Sequence, residues 1–204
     1  MDTRKNPLAL VTAASRGTGL ALAKLLAQNG YDLIATSDDR MELKEAAQQL
    51  RQCASGMRVD TIVCDLARPQ GAQELYDTVR QLGREIDCFA STADPEASGS
   101  FAETDLAGEL ALIQANAASA VAATKLFLRD MAARGTGRIL ILCGCPKNEA
   151  ASAVKAATNA FLAAFARRLA METKGGGVGV TLSVTPEDGD AAEAARAAFA
   201  TLTA

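Results

Sequence analysis

Residues 8–19 read LALVTAASRGTG, a short apolar run followed by a turn that contains Gly17 and Gly19. The run at 8–13 is typical of a buried strand, and residues 18–29 carry leucines at helical spacing until Gly30 stops the helix. Two glycines one residue apart let a backbone turn tightly and let a pyrophosphate approach the helix N-terminus. From the glycines alone, a plain strand–helix turn without a ligand explains the stretch equally well.

The rest of the chain repeats this strand–helix alternation. Six β-α repeats predict one doubly wound parallel sheet of about six strands with helices on both faces, an α/β fold. The strands are apolar throughout, as strands covered on both faces are. With no linker in view, residues 1–204 are expected to form a single domain. Further strands are predicted at 33–36, 59–64, 86–90, 139–142 and 178–184, and helices at 39–54, 69–82, 104–133, 148–173 and from 190 to the end.

Composition excludes several classes of function. The 204 residues carry a net charge of −3 and no long basic run, which argues against nucleic acid and anionic membrane as partners. No stretch approaches the ~18 apolar residues of a membrane span, so we expect a soluble, cytoplasmic protein. Five cysteines without a CxxC pair indicate a reducing compartment. There is no histidine, which removes the commonest general base and metal ligand.

Further motifs follow the first turn in a fixed order. Asn116 lies in the long predicted helix, and the other motifs are Cys64-Asp65-Leu66, residues 86–94 and Gly137-Arg138-Ile139-Leu140. Together with residues 12–19, they resemble the short-chain dehydrogenase/reductase family over about residues 7 to 186. The resemblance implies a Rossmann-type fold that binds NAD or NADP and acts on a small-molecule substrate.

The resemblance also implies which residues hold the dinucleotide. Ala13 replaces the first glycine of the family fingerprint. Arg16 resembles members that bind the 2′-phosphate, whereas Asp38 would accept ribose hydroxyls and repel that phosphate, so the cofactor preference stays open. The alternatives are a solvated surface charge for Arg16 and a helix N-cap for Asp38. The implied cofactor-binding residues are Thr12, Ser15, Arg16, Gly17, Thr18, Gly19, Asp38, Asp65, Leu66 and Ala93.

The catalytic tyrosine of the family is missing. In the family a tyrosine exchanges a proton with the substrate, and a lysine four residues later lowers the pKa of that tyrosine. Two registers are possible here. Either Lys155 is the family lysine and Ala151 stands at the tyrosine, or Lys155 stands at the tyrosine and Asn159 at the lysine. The first is favoured because residues 155–161 resemble a common family stretch.

Other parts of the family site are also altered. Gly144 stands at the catalytic serine, flanked by Cys143 and Cys145, which we interpret as buried inert thiols. The segment after the sixth strand is short, so a seventh strand and a substrate lid are expected to be reduced or absent, and water exclusion would be poor. Asn116 and Lys155 remain as candidate catalytic residues.

Three functional hypotheses follow. The chain is an NAD(P)-binding homologue with a degenerate active site, an active oxidoreductase on a small carbonyl or alcohol with a rebuilt proton donor, or a cofactor-independent enzyme or binder that reuses the cleft. The rebuilt donor would be Lys155 or a water held by Asn116; the third hypothesis uses Lys155 or the cysteines. The family commonly assembles through the helices at 104–133 and 148–173, which implies a homodimer or tetramer, with a monomer as the alternative.

Overall fold

A computed structural model describes residues 6–53, 56–92, 99–145, 152–186 and 190–203. Its six parallel strands form one sheet in the order β3-β2-β1-β4-β5-β6 and alternate with helices, which confirms the predicted doubly wound α/β fold. The strands are β1 (Leu8–Val11), β2 (Asp32–Ser37), β3 (Val59–Val63), β4 (Cys88–Ser91), β5 (Gly137–Cys145) and β6 (Val178–Pro186). The helices are α1 (Gly17–Gln28), α2 (Arg40–Cys53), α3 (Gly71–Gln81), α4 (Leu106–Ile113), α5 (Ser119–Arg134), α6 (Ala153–Glu172) and α7 (Ala191–Thr203).

Two apolar layers hold the helices on the sheet. Side chains alternate along each strand, so Leu10 and Phe89 face α3, α5 and α6, whereas Val11 and Leu140 face α1, α2 and α7. All four residues are essentially buried. The central strands β1 and β4 are buried at every position, as strands covered on both faces are, whereas the edge strand β3 carries Asp60 and Thr61 and is buried only at Val59.

The long helix predicted at 104–133 is interrupted in the structure. A π-helical turn, Gln114–Ala118, separates α4 from α5 and contains Asn116. Such single wide turns occur frequently at functional sites. The helix predicted at 148–173 begins at Ala153, where the Ser152 side chain accepts a hydrogen bond from the Lys155 N–H; residues 148–151 lie outside the described residues.

The expectation that no segment resembles a membrane span needs a correction. In the described part of the chain, the helical run Leu106–Arg134 is long and apolar enough to cross a membrane by length and composition. Phe127 and Met131 of this run are buried in the layer that packs on the sheet. Packing in the core therefore accounts for the apolar residues of α5, whereas Leu106, Leu110 and Ile113 of α4 are exposed.

The last strand and the last helix of the described residues pack at one edge of the sheet. β6 pairs with β5 along its whole length and forms one edge of the sheet. Only residues 187–190 separate β6 from α7, which packs against α1 and β6. Within the described ranges, no seventh strand follows β6.

A buried ion pair lies at the amino end of the sheet, away from the glycine turn. Asp32 lies 2.7 Å from the Arg84 guanidinium and accepts hydrogen bonds from the Arg58 backbone N–H and the Asn6 amide. Burial acts to raise the pKa of the Asp32 carboxyl, but these bonds and the Arg84 charge outweigh it and hold the pKa below its ordinary value.

We therefore expect Asp32→Asn to lower the free energy of unfolding by about 3–5 kcal/mol, because Arg84 loses its buried partner. A carboxyl with a lowered pKa contributes stability above its unfolded pKa of about 3.9 and loses it as the pH falls through the folded value. Urea unfolding at pH 7 and below pH 4 checks this: the difference between wild type and variant should shrink in acid. Asp77→Asn, on the exposed face of α3, is the control. An equal loss in both variants would contradict the prediction.

Candidate functional site

A cavity of about 660 Å³ opens at the carboxyl ends of the strands, beside the turn between β1 and α1. The strand order reverses between β1 and β4, and in open α/β sheets ligands bind in the crevice at such a switch point. Eight of the ten residues assigned to the dinucleotide line this cavity: Ser15, Arg16, Gly17, Thr18, Gly19, Asp38, Asp65 and Leu66. Of the other two, Thr12 is buried behind the turn and Ala93 lies outside the described residues.

The glycine turn is shaped by close backbone contacts. A Cβ at Gly19 would lie 2.9 Å from both the Ala13 carbonyl carbon and the Thr92 hydroxyl, so a side chain does not fit there. Gly17 has a φ of +54°, and Ala13 has a φ of +46°, a region that residues other than glycine rarely adopt. Ala13 thus keeps the conformation for which the family fingerprint uses a glycine.

The N-terminus of α1 points its backbone donors into this cavity. Among the described residues, no side chain caps the helix: its N-cap residue, Arg16, makes no capping bond. The first turn also carries no acidic residue. Unsatisfied N–H groups and the positive end of the helix dipole suit an anion. The turn and the helix end together fit a pyrophosphate held against the backbone.

The end of β2 contributes a carboxylate, Asp38, to the lining of the cavity. Asp38 is exposed at the end of β2, and the Ser37 hydroxyl lies 3.3 Å from its carboxylate. The N-cap alternative for Asp38 is wrong, because Asp39 accepts hydrogen bonds from the N–H groups of Met41 and Glu42 at 2.7 and 2.9 Å. Asp38 is therefore available to a ligand in the cavity.

Glu42 is a cavity residue that the sequence interpretation missed. Its carboxylate accepts a hydrogen bond from the Ser15 hydroxyl at 3.0 Å and lies 3.5 Å from the Arg16 guanidinium. The available signal was its position in the first turn of α2, four residues after Asp38. That turn starts where β2 ends and so faces the same cavity.

The candidate catalytic residues cluster between the π-helical turn and α6. The Asn116 amide nitrogen lies 3.0 Å from the Thr158 hydroxyl and 3.4 Å from the Asn159 side-chain oxygen. Lys155 lies one turn earlier on α6 and is 8% exposed, and Asn159 is 4% exposed. Cys143 and Gly144 line the nearby cavity wall. The structure thus gathers Asn116, Lys155 and Asn159, while Ala151 lies outside the described residues.

Neither tyrosine reaches this cluster. Tyr31 precedes β2 at the amino edge of the sheet, and the Tyr76 hydroxyl donates to Asp130 at 2.8 Å, between α3 and α5. Burial raises the pKa of the Cys64 thiol to about 11 and that of Cys88 to about 12, which keeps both protonated at neutral pH. Cys143, interpreted from the sequence as a buried inert thiol, is 3% exposed, and the side chain of Cys145 lies outside the described residues.

Residues 7–190 match the family described as short chain dehydrogenase, which is most of the chain. The chain belongs to the short-chain dehydrogenase family. Its six-stranded sheet and its glycine turn are therefore those of a short-chain dehydrogenase, as the motifs predict.

Relatives and solved structures with different names are similar to this chain. The ketoacyl reductase HetN of Nostoc sp. is 27% identical over 89% of this chain, and the alignment spans 63% of its own length. Carbonyl reductase family member 4 of Danio rerio is 28% identical over 86% of this chain and 73% of its own. A short-chain dehydrogenase from Sphingobium yanoikuyae, solved with NADPH, has a TM-score of 0.86 at 24% identity, over 95% of this chain and 83% of its own, which shows a common fold.

Proposed function

We propose that this chain binds NAD(H) or NADP(H) in the cavity but is an impaired oxidoreductase homologue, because it lacks the family's proton donor. One observation carries the binding: a cavity at the switch point, around an uncapped helix N-terminus, is lined by most of the residues that the family resemblance assigns to the dinucleotide. The NADPH bound to the Sphingobium relative supports the same class of ligand. The relatives' names support a small carbonyl or alcohol as the class of substrate.

The described residues fit each part of a dinucleotide. The Gly17–Gly19 turn and the first N–H groups of α1 would hold the pyrophosphate, because Gly19 lets the turn pack closely on Ala13 and Thr92 and the space at Gly17 is open. Asp38 would accept hydrogen bonds from the adenosine ribose, and Asp65 and Leu66, which line the same cavity, would contact the adenine. Cys143 and Gly144 also line the cavity, and a bound nicotinamide would supply or accept a hydride.

The impairment follows from the proton that must accompany the hydride. Carbonyl reduction needs a proton at the oxygen, and a positioned acid contributes about 10²–10⁴-fold. Tyr31 and Tyr76 are remote from the cavity, and Gly144 offers no hydroxyl to orient a carbonyl. The short connection between β6 and α7 supports weak exclusion of water.

The register of the catalytic segment is part of this proposal. We place Lys155 at the family tyrosine and Asn159 at the family lysine, the gapless register. Its support is the contact of Asn116 with Asn159 and the burial of Lys155 one turn before it. This register differs from the one that residues 155–161 favour, and the contacts of Asn116 with Thr158 and Asn159 are the reason for the change.

A second candidate function uses Lys155 as the proton donor. The specific observation is that the Lys155 side chain is 8% exposed and lies one turn before Asn159, which contacts Asn116. A buried lysine can serve as a general acid or base in catalysis. In this hypothesis the Lys155 ammonium donates a proton to the substrate oxygen, and Lys155→Ala loses turnover without losing dinucleotide binding. If the chain is instead an impaired homologue, Lys155→Ala should leave the slow rate of carbonyl reduction unchanged.

Steady-state assays with NADH and NADPH and a panel of ketones, aldehydes and ketoacyl thioesters test the proposal. We expect every substrate to be reduced below the order of 1 s⁻¹, the lower end of typical enzyme rates. Titration of the same samples with each dinucleotide should show binding. Turnover at typical enzyme rates in wild type, lost in Lys155→Ala, would overturn the proposal of an impaired oxidoreductase. It would support the second candidate function, in which Lys155 donates the proton.

The assembly and location of the chain belong to the proposal as well. Leu106, Leu110, Ile113 and Phe161 are exposed apolar residues on α4 and α6. We propose that they form the interface of a homodimer or tetramer in the cytoplasm. Analytical ultracentrifugation of wild type and Leu110→Glu is the test, with dissociation to monomers as the expected result.

A further inference from the structure

The charges that line the cavity bear directly on the choice between the two dinucleotides. Among the described residues, the charged lining consists of Arg16, Asp38, Glu42 and Asp65, which is three carboxylates and one guanidinium. NADP(H) differs from NAD(H) by a 2′-phosphate on the adenosine ribose. Binding that phosphate therefore depends on whether Arg16 is available to it.

Arg16 is already engaged by a carboxylate of this chain. Its guanidinium lies 3.5 Å from Glu42, which also accepts the Ser15 hydroxyl hydrogen bond at 3.0 Å. The Ser37 hydroxyl lies 3.0 Å from the Ser15 hydroxyl, so the network continues to the end of β2, next to Asp38. The donors that could meet a phosphate here, Ser15 and Arg16, thus converge on Glu42.

Glu42 is held in this place by its helix. It lies in the first turn of α2, where the Asp39 cap fixes its backbone N–H at 2.9 Å. A carboxylate is favourable at this end of a helix because of the helix dipole. The cap therefore anchors the backbone at Glu42, and the side chain lines the cavity from the first turn of α2.

We propose that Glu42 is a specificity-determining residue that makes the cavity select NAD(H) over NADP(H). The inference rests on the proposed dinucleotide binding. Glu42 competes with the 2′-phosphate for Arg16 and Ser15, and its charge together with that of Asp38 repels the phosphate. The ribose hydroxyls of NAD(H) are neutral hydrogen-bond donors, and Asp38 can accept hydrogen bonds from them without such repulsion.

Calorimetric titration of wild type, Glu42→Gln and Glu45→Gln with NADH and NADPH tests the proposal. Wild type should bind NADH more tightly. Glu42→Gln should tighten NADPH binding by about tenfold, the contribution of a charge-assisted hydrogen bond to phosphate, with little change for NADH. Glu45→Gln removes the same charge from the exposed face of α2 and should alter neither affinity.

The double variant Glu42→Gln/Arg16→Ala identifies the cause. The double variant should bind NADPH no more tightly than wild type. The tighter binding in Glu42→Gln requires an Arg16 guanidinium that is no longer paired with Glu42. Tighter NADPH binding by wild type, or an unchanged ratio in Glu42→Gln, would overturn the role of Glu42 and leave the proposed function standing. An equal change in Glu45→Gln would assign the effect to net charge and also overturn it. If folded wild type binds neither dinucleotide, the proposed function fails and Glu42 has no such role.

Discussion

Restoring the family's catalytic groups, as Gly144→Ser, Lys155→Tyr and Asn159→Lys together, is expected to raise the rate of carbonyl reduction by about 10²–10⁴-fold over wild type. The magnitude is that of a positioned general acid. In the gapless register, the new tyrosine occupies the buried place of Lys155, and the new lysine lies one turn later, beside Asn116. An ammonium at that distance lowers the pKa of the tyrosine towards neutrality. The measurement is NADH oxidation with the ketone panel.

The other register supplies a matched control. Gly144→Ser with Ala151→Tyr keeps Lys155 as the lysine and should leave the rate near that of wild type. If this control gains activity and the triple variant does not, the gapless register is wrong. If neither gains while both bind NADH, the missing hydroxyls are not what limits the reaction, and the account of the impairment fails.

Adding one methyl group at Gly19 is expected to weaken dinucleotide binding at least about tenfold. Gly19→Ala places a Cβ 2.9 Å from the Ala13 carbonyl carbon and the Thr92 hydroxyl, so the turn must move. Overpacking of this kind typically costs about 1–3 kcal/mol, and 1.4 kcal/mol is tenfold in a dissociation constant. The same movement displaces the first N–H groups of α1 from the pyrophosphate.

Gly179→Ala is the control for this change. A Cβ at Gly179, on the edge strand β6, meets nothing within 4 Å, and the residue does not line the cavity. Titration with NADH, accompanied by circular dichroism to verify folding, compares the two variants. Unchanged affinity in a folded Gly19→Ala protein would show that the dinucleotide does not approach the backbone at this turn.

The sequence was sufficient to predict the fold because each strand is a short apolar run and each helix has leucines or alanines at helical spacing. These patterns are local, and a sheet covered on both faces leaves little freedom in their arrangement. The π-helical turn at Asn116 could not be predicted, because its residues continue the apolar, alanine-rich helical pattern on both sides. Only its contacts with Thr158 and Asn159 on α6 reveal its place.

The site was predicted where it depends on a contiguous motif. The motif with Gly17 and Gly19 predicts the turn directly from the sequence. Glu42 belongs to no such motif and lines the cavity only because α2 starts where β2 ends. The N-cap could not be assigned between two adjacent aspartates from sequence; the backbone geometry gives it to Asp39 and leaves Asp38 to the cavity. The register of Lys155 stayed open because alanines surround it on both sides.

The central claim is that the cavity is a working dinucleotide site, and calorimetric titration of folded wild-type protein with NADH tests it most directly. The account predicts saturable binding with a micromolar dissociation constant, weakened in Gly19→Ala and retained in Gly179→Ala. Absence of binding by NADH and by NADPH would contradict the claim. The cavity would then belong to a cofactor-independent enzyme or to a binder of another small molecule.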